Sequence, residues 1–198
     1  MMKRSLPLLA LFASVLTAAA HPAQFHSQDL AGATQAGFFH PLTGLDHLLV
    51  MVALGLWAVQ IGGRALWLLP CTFVGSMMLG GALGLCGVHQ LLVEHGILAS
   101  IVLLGVALGM AWRPSTLVAA ACAGAAGLCH GYAHGSEMPS GALPILFFIG
   151  MVAATSLLHA FGVGGGLLLN KNPKIATGMR AAGLMLIAFA VYDFYFPV

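Results

Sequence analysis

The sequence predicts an all-α protein: a polytopic membrane bundle of about six transmembrane helices behind a cleaved N-terminal signal peptide. Three observations predict it. The 198 residues are 60% hydrophobic and only 6% charged, whereas a soluble domain carries roughly 25% charged residues. Apolar runs of about 20 residues recur along the chain, the length that crosses a hydrocarbon core. After the signal, basic residues fall on alternate connections between those runs, apart from Arg180 just inside the last run.

The signal occupies residues 1–20. Lys3 and Arg4 form a positive start, Leu6 to Leu16 a short apolar stretch, and Ala18-Ala19-Ala20 a small-residue cleavage site. The apolar stretch is short for a spanning helix, which favours cleavage after Ala20 over an uncleaved anchor. Cleavage makes His21 the new N-terminus. Its α-amine and imidazole, with His26 five residues on, could capture a metal weakly as accessory ligands; a tail without a role is the alternative. Residues 21–198 form a single transmembrane domain.

The expected spans are Leu42–Ile61, Ala65–Gly87, Gly96–Trp112, Thr116–Tyr132, Ala142–Leu168 and Ala176–Phe196. Arg64, Arg113, Lys171 and Lys174 lie in the first, third and fifth connections, and Arg180 just inside the last span. Alternate connections lie on opposite sides of a membrane, so these residues share one side, which the positive-inside rule makes cytoplasmic. An exported signal puts residue 21 outside and gives the same orientation. Both mature termini are then periplasmic, in a bacterial inner membrane. Singly scattered basic residues, with no basic stripe, exclude a nucleic-acid partner.

The nine histidines outnumber the five acidic residues, and they gather on the other side. His40, Asp46 and His47 lie at the outer end of the first span. His89, Glu94 and His95 lie in the first outer connection, where an ordinary wet loop is the simpler reading. His130, His134 and Glu137 lie at the second outer connection, and Asp193 ends the last span. His159 sits deeper, with Thr155 and Ser156 one turn above it. An ionisable group within a membrane costs about 2.5–3.5 kcal/mol on insertion scales, so this clustering calls for a function.

Small residues recur at four-residue spacing: Gly80 and Gly84, Gly105 and Gly109, then Gly127, Gly131 and Gly135. They predict closely packed helices. Gly162 and Gly164 to Gly166 are expected to loosen the inner end of the fifth span. Cys71, Cys86, Cys122 and Cys129 lie in apolar stretches without a CxxC pair, and read as small hydrophobes rather than a disulfide framework.

Two motifs carry the chemistry. In HPLTGLDHLLVM (40–51), His40 and His47 are two helical turns apart and share a face if a helix begins near Pro41, which suits a first turn. Asp46 can ligate or can orient His47; Met51, one turn below His47, adds a soft sulfur. In CHGYAHGSEMP (129–139), His130, His134 and Glu137 share a face of a continuous helix, although Gly131, Gly135 and Pro139 favour a bend. Imidazole with carboxylate suits Ni²⁺, Co²⁺, Zn²⁺ or Cu²⁺ better than Ca²⁺ or Mg²⁺.

Together these motifs resemble the HupE/UreJ family of bacterial nickel/cobalt permeases, across essentially the whole mature chain: HPxxGxDH, HGxAHGxE, and a Leu158-His159 pair in a later span. The resemblance implies uptake of Ni²⁺, and in some members Co²⁺, for metalloenzymes such as urease or hydrogenase. It implies metal handling by His40, Asp46 and His47, with His130, His134 and Glu137 opposite. Cys129 stands where an aromatic is common. The implied protein is a secondary permease, not an enzyme, with a transition-metal ion and the lipid bilayer as partners. The chain carries no GxxxxGK[ST] phosphate loop. An intramembrane zinc hydrolase would use the same ligand types but gives His159 no role; a bis-His haem protein would need a histidine pair facing across two spans.

Overall fold

The structure is a computed structural model that describes residues 29–87, 93–169 and 173–195. The described residues form seven helices and no strand: α1 Leu30–Thr43, α2 Leu45–Ile61, α3 Ala65–Leu85, α4 Val93–Gly109, α5 Thr116–Ser136, α6 Pro144–Leu169 and α7 Pro173–Tyr195. The signal, His21, His26 and His89 lie outside the described residues.

The first expected span requires a correction. Its helix does not begin at Pro41. Asp29 caps α1 by accepting the Gly32 N–H, so the helix starts eleven residues earlier, at Leu30, and Pro41 lies in its last turn. The stretch LAGATQAGFF escaped a periodicity reading because it is dominated by small side chains, with Gly32, Ala33 and Gly37 buried. The Thr43 hydroxyl donates to the His40 carbonyl at 2.7 Å, a local bond that competes with helix continuation. Gly44 is extended and ends α1. His40 and His47 therefore belong to two helices and do not share one helix face.

The chain divides into two compact units. Among the described residues, one holds those up to Leu45 together with Pro139–Ala154; the other holds those from Asp46 to Met138 and from Thr155 on. In the first, α1 lies directly on the opening turns of α6. A Cβ on Gly37 would overlap the Phe147 carbonyl, and one on Gly150 the Thr34 carbonyl.

In the second unit, α3 and α5 meet along the predicted glycine rows. A Cβ on Gly127, Gly131 or Gly135 would overlap the carbonyl of Phe73, Met77 or Gly81 respectively. Gly80 and Gly84 stand equally close to the Leu128 and Tyr132 carbonyls. The expected bend at Gly131 and Gly135 is absent: α5 runs unbroken to Ser136, because these glycines serve backbone contact between helices rather than flexibility. The glycine-rich end of α6 is likewise regular helix to Leu169. Gly162 there packs on the Val52 carbonyl and Gly166 on the Val59 side chain. The four cysteines are free thiols.

Burial is inverted relative to a soluble protein. Leu79, Leu117, Ile145, Leu168, Leu184 and Met185 are exposed, while His47, His130, His134, Thr155 and His159 are buried. Apolar exposure on this scale marks a lipid-facing surface. Four helices, α3, α5, α6 and most of α7, are long and apolar enough to cross a membrane, and α1 with α2 passes the same test together, as a broken span or a re-entrant loop. α4 has 17 residues, about 25 Å of helix. It stops short of the expected Trp112 because Ala111 takes a positive φ of 53°. The Trp112 carbonyl instead accepts from Trp57 Nε1 at 3.0 Å and Gln60 Nε2 at 3.1 Å.

Candidate metal centre

The short connections make consecutive helices run in alternating directions, and this sorts the polar residues of the second unit. Asp46 and His47 open α2, which Arg64 follows. Glu94 and His95 sit in the first turn of α4, exposed, rather than in a loop; Arg113 follows its far end. α5 begins just after Arg113 and carries His130 and His134 in its last two turns. Imidazoles and arginines thus occupy opposite ends of the same helices, as the charge pattern predicts.

His47, His130 and His134 converge. The His47 ring centroid lies 4.8 Å from that of His130 and 4.4 Å from that of His134. Their exposures are 8%, 0% and 1%. The Asp46 carboxylate stands 2.7 Å from His47 Nδ1 without the alignment of a hydrogen bond, so the contact is electrostatic. Among the described residues, His47 Nε2 and His130 Nδ1 have no hydrogen-bond partner. A buried polar group left unpaired costs about 1–3 kcal/mol, and native interiors hold few of them. Nitrogen lone pairs collected in a dry interior are the donor set that binds a transition-metal ion.

His159 lies further along, on α6, and is 1% exposed. Its ring meets the Phe73 ring edge-on at 5.1 Å, and the same Phe73 ring lies 5.7 Å from His130. Neither His159 nitrogen has a hydrogen-bond partner among the described residues. Thr155, one turn above, is buried and donates to Met77 Sδ at 3.7 Å, whereas Ser156 is exposed and turned away from this interior.

Of the other expected residues, Glu137 offers a carboxylate oxygen within 4.8 Å of a His134 ring nitrogen. His40 lies in the first unit, half-buried, with its ring 5.5 Å from Phe147. Glu137 caps the C-terminus of α5 through its N–H to the Ala133 carbonyl, and is exposed beyond the helix. Met51 is fully buried one turn below His47. Two residues went unnoticed in the sequence. The Phe73 ring neighbours both His130 and His159, and Ser100 Oγ lies 3.0 Å from His130 Nε2. Each sits in an apolar run with no local signal to distinguish it from packing.

An apolar exterior around buried imidazoles defines a multi-pass membrane protein. The family model described as HupE / UreJ protein matches residues 9–192. Protein HupE of Rhizobium leguminosarum bv. viciae is 39% identical over 162 residues, which cover 81% of this chain and 85% of that protein. The chain belongs to the HupE/UreJ family, a transporter family associated with nickel and cobalt. No solved structure matches the chain.

Proposed function

We propose that this protein is a secondary permease that imports Ni²⁺, with Co²⁺ as the alternative cargo, across the bacterial inner membrane to supply metalloenzymes such as urease or hydrogenase. The observation that carries the reading is the convergence of His47, His130 and His134 in a buried cluster. In this reading the signal is removed, six spans remain, both mature termini are periplasmic and the imidazole end of the helices faces outward. His40, Asp46, His47, His130, His134 and Glu137 replace the hydration shell of the ion. His159 receives it further in, past the Phe73 ring. His21, His26 and Met51 are accessory ligands.

The membrane potential is a sufficient driving force. A divalent cation moving to a negative interior gains about 4.6 kcal/mol per 100 mV, at about 2.3 per charge. That sustains roughly three decades of accumulation. Binding must select the ion and still release it, which favours several moderate sites in series over one closed cage.

The test is uptake of radioactive Ni²⁺ at nanomolar concentration in cells lacking other nickel importers. Wild type is compared with His47→Ala at matched membrane levels. Uptake by the wild type and its loss in the variant are expected. No uptake by a well-expressed wild type would overturn the reading, and bound zinc would then be assayed.

A further inference from the structure

Ser100 is a buried hydroxyl with two close polar neighbours. Its Oγ lies 2.6 Å from the Ile97 carbonyl oxygen and 3.0 Å from His130 Nε2. A serine hydroxyl has one hydrogen. Two oxygens at 2.6 Å with no hydrogen between them would repel, so that hydrogen lies on the Ile97 carbonyl. Ser100 Oγ can then only accept from His130, and Nε2 must carry the ring hydrogen. In a neutral ring this leaves Nδ1 as a bare lone pair, and Nδ1 is the His130 nitrogen with no protein partner among the described residues.

We propose that Ser100 is a positioning residue that locks His130 in the Nε2–H tautomer, so that Nδ1 is the atom presented to the transported divalent ion. The inference rests on the reading of the buried imidazoles as ligands. The logic is that of metal-binding histidines generally, in which a hydrogen bond at one ring nitrogen sets which nitrogen ligates. Here the acceptor is a hydroxyl, and its own hydrogen is committed to the α4 backbone. The ring is thereby tied to α4 as well as to its own helix α5, which orients it beside His47.

The test uses the full chain in lipid nanodiscs, metal-free, with ¹⁵N-labelled imidazoles. The His130 resonances are assigned by their loss in His130→Gln. Wild type is expected to show a protonated Nε2 and a bare Nδ1. Ser100→Ala removes the acceptor and should give a tautomer mixture; Ser100→Thr keeps the hydroxyl and should retain the wild-type shifts. In cells, Ser100→Ala should raise the KM for Ni²⁺ about 10–100-fold, the usual effect of losing such a partner, with a smaller change in maximal rate, and Ser100→Thr should restore it. A protonated Nδ1 in the wild type, or unchanged shifts and KM in Ser100→Ala, would overturn the proposal. Expected shifts without Ni²⁺ uptake by the wild type would overturn the transport reading and with it the ligand role of Nδ1, while the tautomer lock would stand.

Discussion

Replacing His159 by leucine should make the protein more stable and abolish its transport. The imidazole is 1% exposed, and both its nitrogens lack hydrogen-bond partners among the described residues. A neutral ring has one donor and one acceptor, and each costs about 1–3 kcal/mol when buried unpaired. Leucine removes both penalties. Against this stand the lost edge contact with Phe73, worth about 0.5–1.5 kcal/mol, and a shape mismatch of up to about 1.5 kcal/mol. The net gain is on the order of 1–3 kcal/mol. For a chain of this size that raises Tm by roughly 3–10 °C. Thermal unfolding of the metal-free protein in detergent, read beside Ni²⁺ uptake at matched membrane levels, checks both halves. A variant that melts several degrees lower yet transports normally would refute the reasoning, since His159 would then be a packing residue.

Four further outcomes are expected. Uptake at sub-saturating Ni²⁺ should weaken as pH falls from 7.5 to 5.5. Ligation needs a neutral imidazole, so protons compete with the metal ion for its lone pair; a flat profile would exclude imidazole ligation as the limiting step. Collapse of the membrane potential by valinomycin with high external K⁺ should remove accumulation, and unchanged accumulation would require another energy source. Gly131→Ala should lower Tm sharply, by more than the 1–3 kcal/mol usual for overpacking, because the new methyl meets the backbone of Met77; Gly164→Ala, where nothing lies within 4 Å, should be neutral or stabilising. Gln60→Leu removes two hydrogen bonds, to the Ala107 carbonyl at 3.0 Å and the Trp112 carbonyl at 3.1 Å, and should cost about 1–3 kcal/mol in the same unfolding assay.

The helices were legible in the sequence because lipid imposes a simple rule: every backbone group must be satisfied within its own segment. Runs such as Ala65–Leu85 and Thr116–Ser136 therefore announce themselves by length alone. The glycine rows were legible for a related reason. Packing in lipid rewards close backbone approach, so Gly127, Gly131 and Gly135 mark the α3–α5 seam. α1 was not legible. Its buried positions are Gly32, Ala33 and Gly37, which bury little area and leave almost no apolar signature, so that Pro41 looked like a beginning when it stands near an end.

The metal-competent residues were legible because histidine is expensive in an apolar run, and expense concentrated in two short motifs demands an explanation. Their assembly was only half legible. Spacing placed His130 and His134 on one face of α5, and the structure keeps them there. Spacing also placed His40 beside His47, and Gly44 breaks that inference, because a helical repeat counts residues only while the helix continues. The partners of the buried imidazoles were beyond reach. Ser100 belongs to a helix that neither motif touches, and Phe73 is one aromatic among eleven phenylalanines. Pairing across helices leaves no trace in local sequence. What each contributes is orientation: Ser100 sets a ring nitrogen, and Phe73 packs against two buried imidazoles. A permease needs both kinds of residue, since ligands alone would make a store for metal rather than a path.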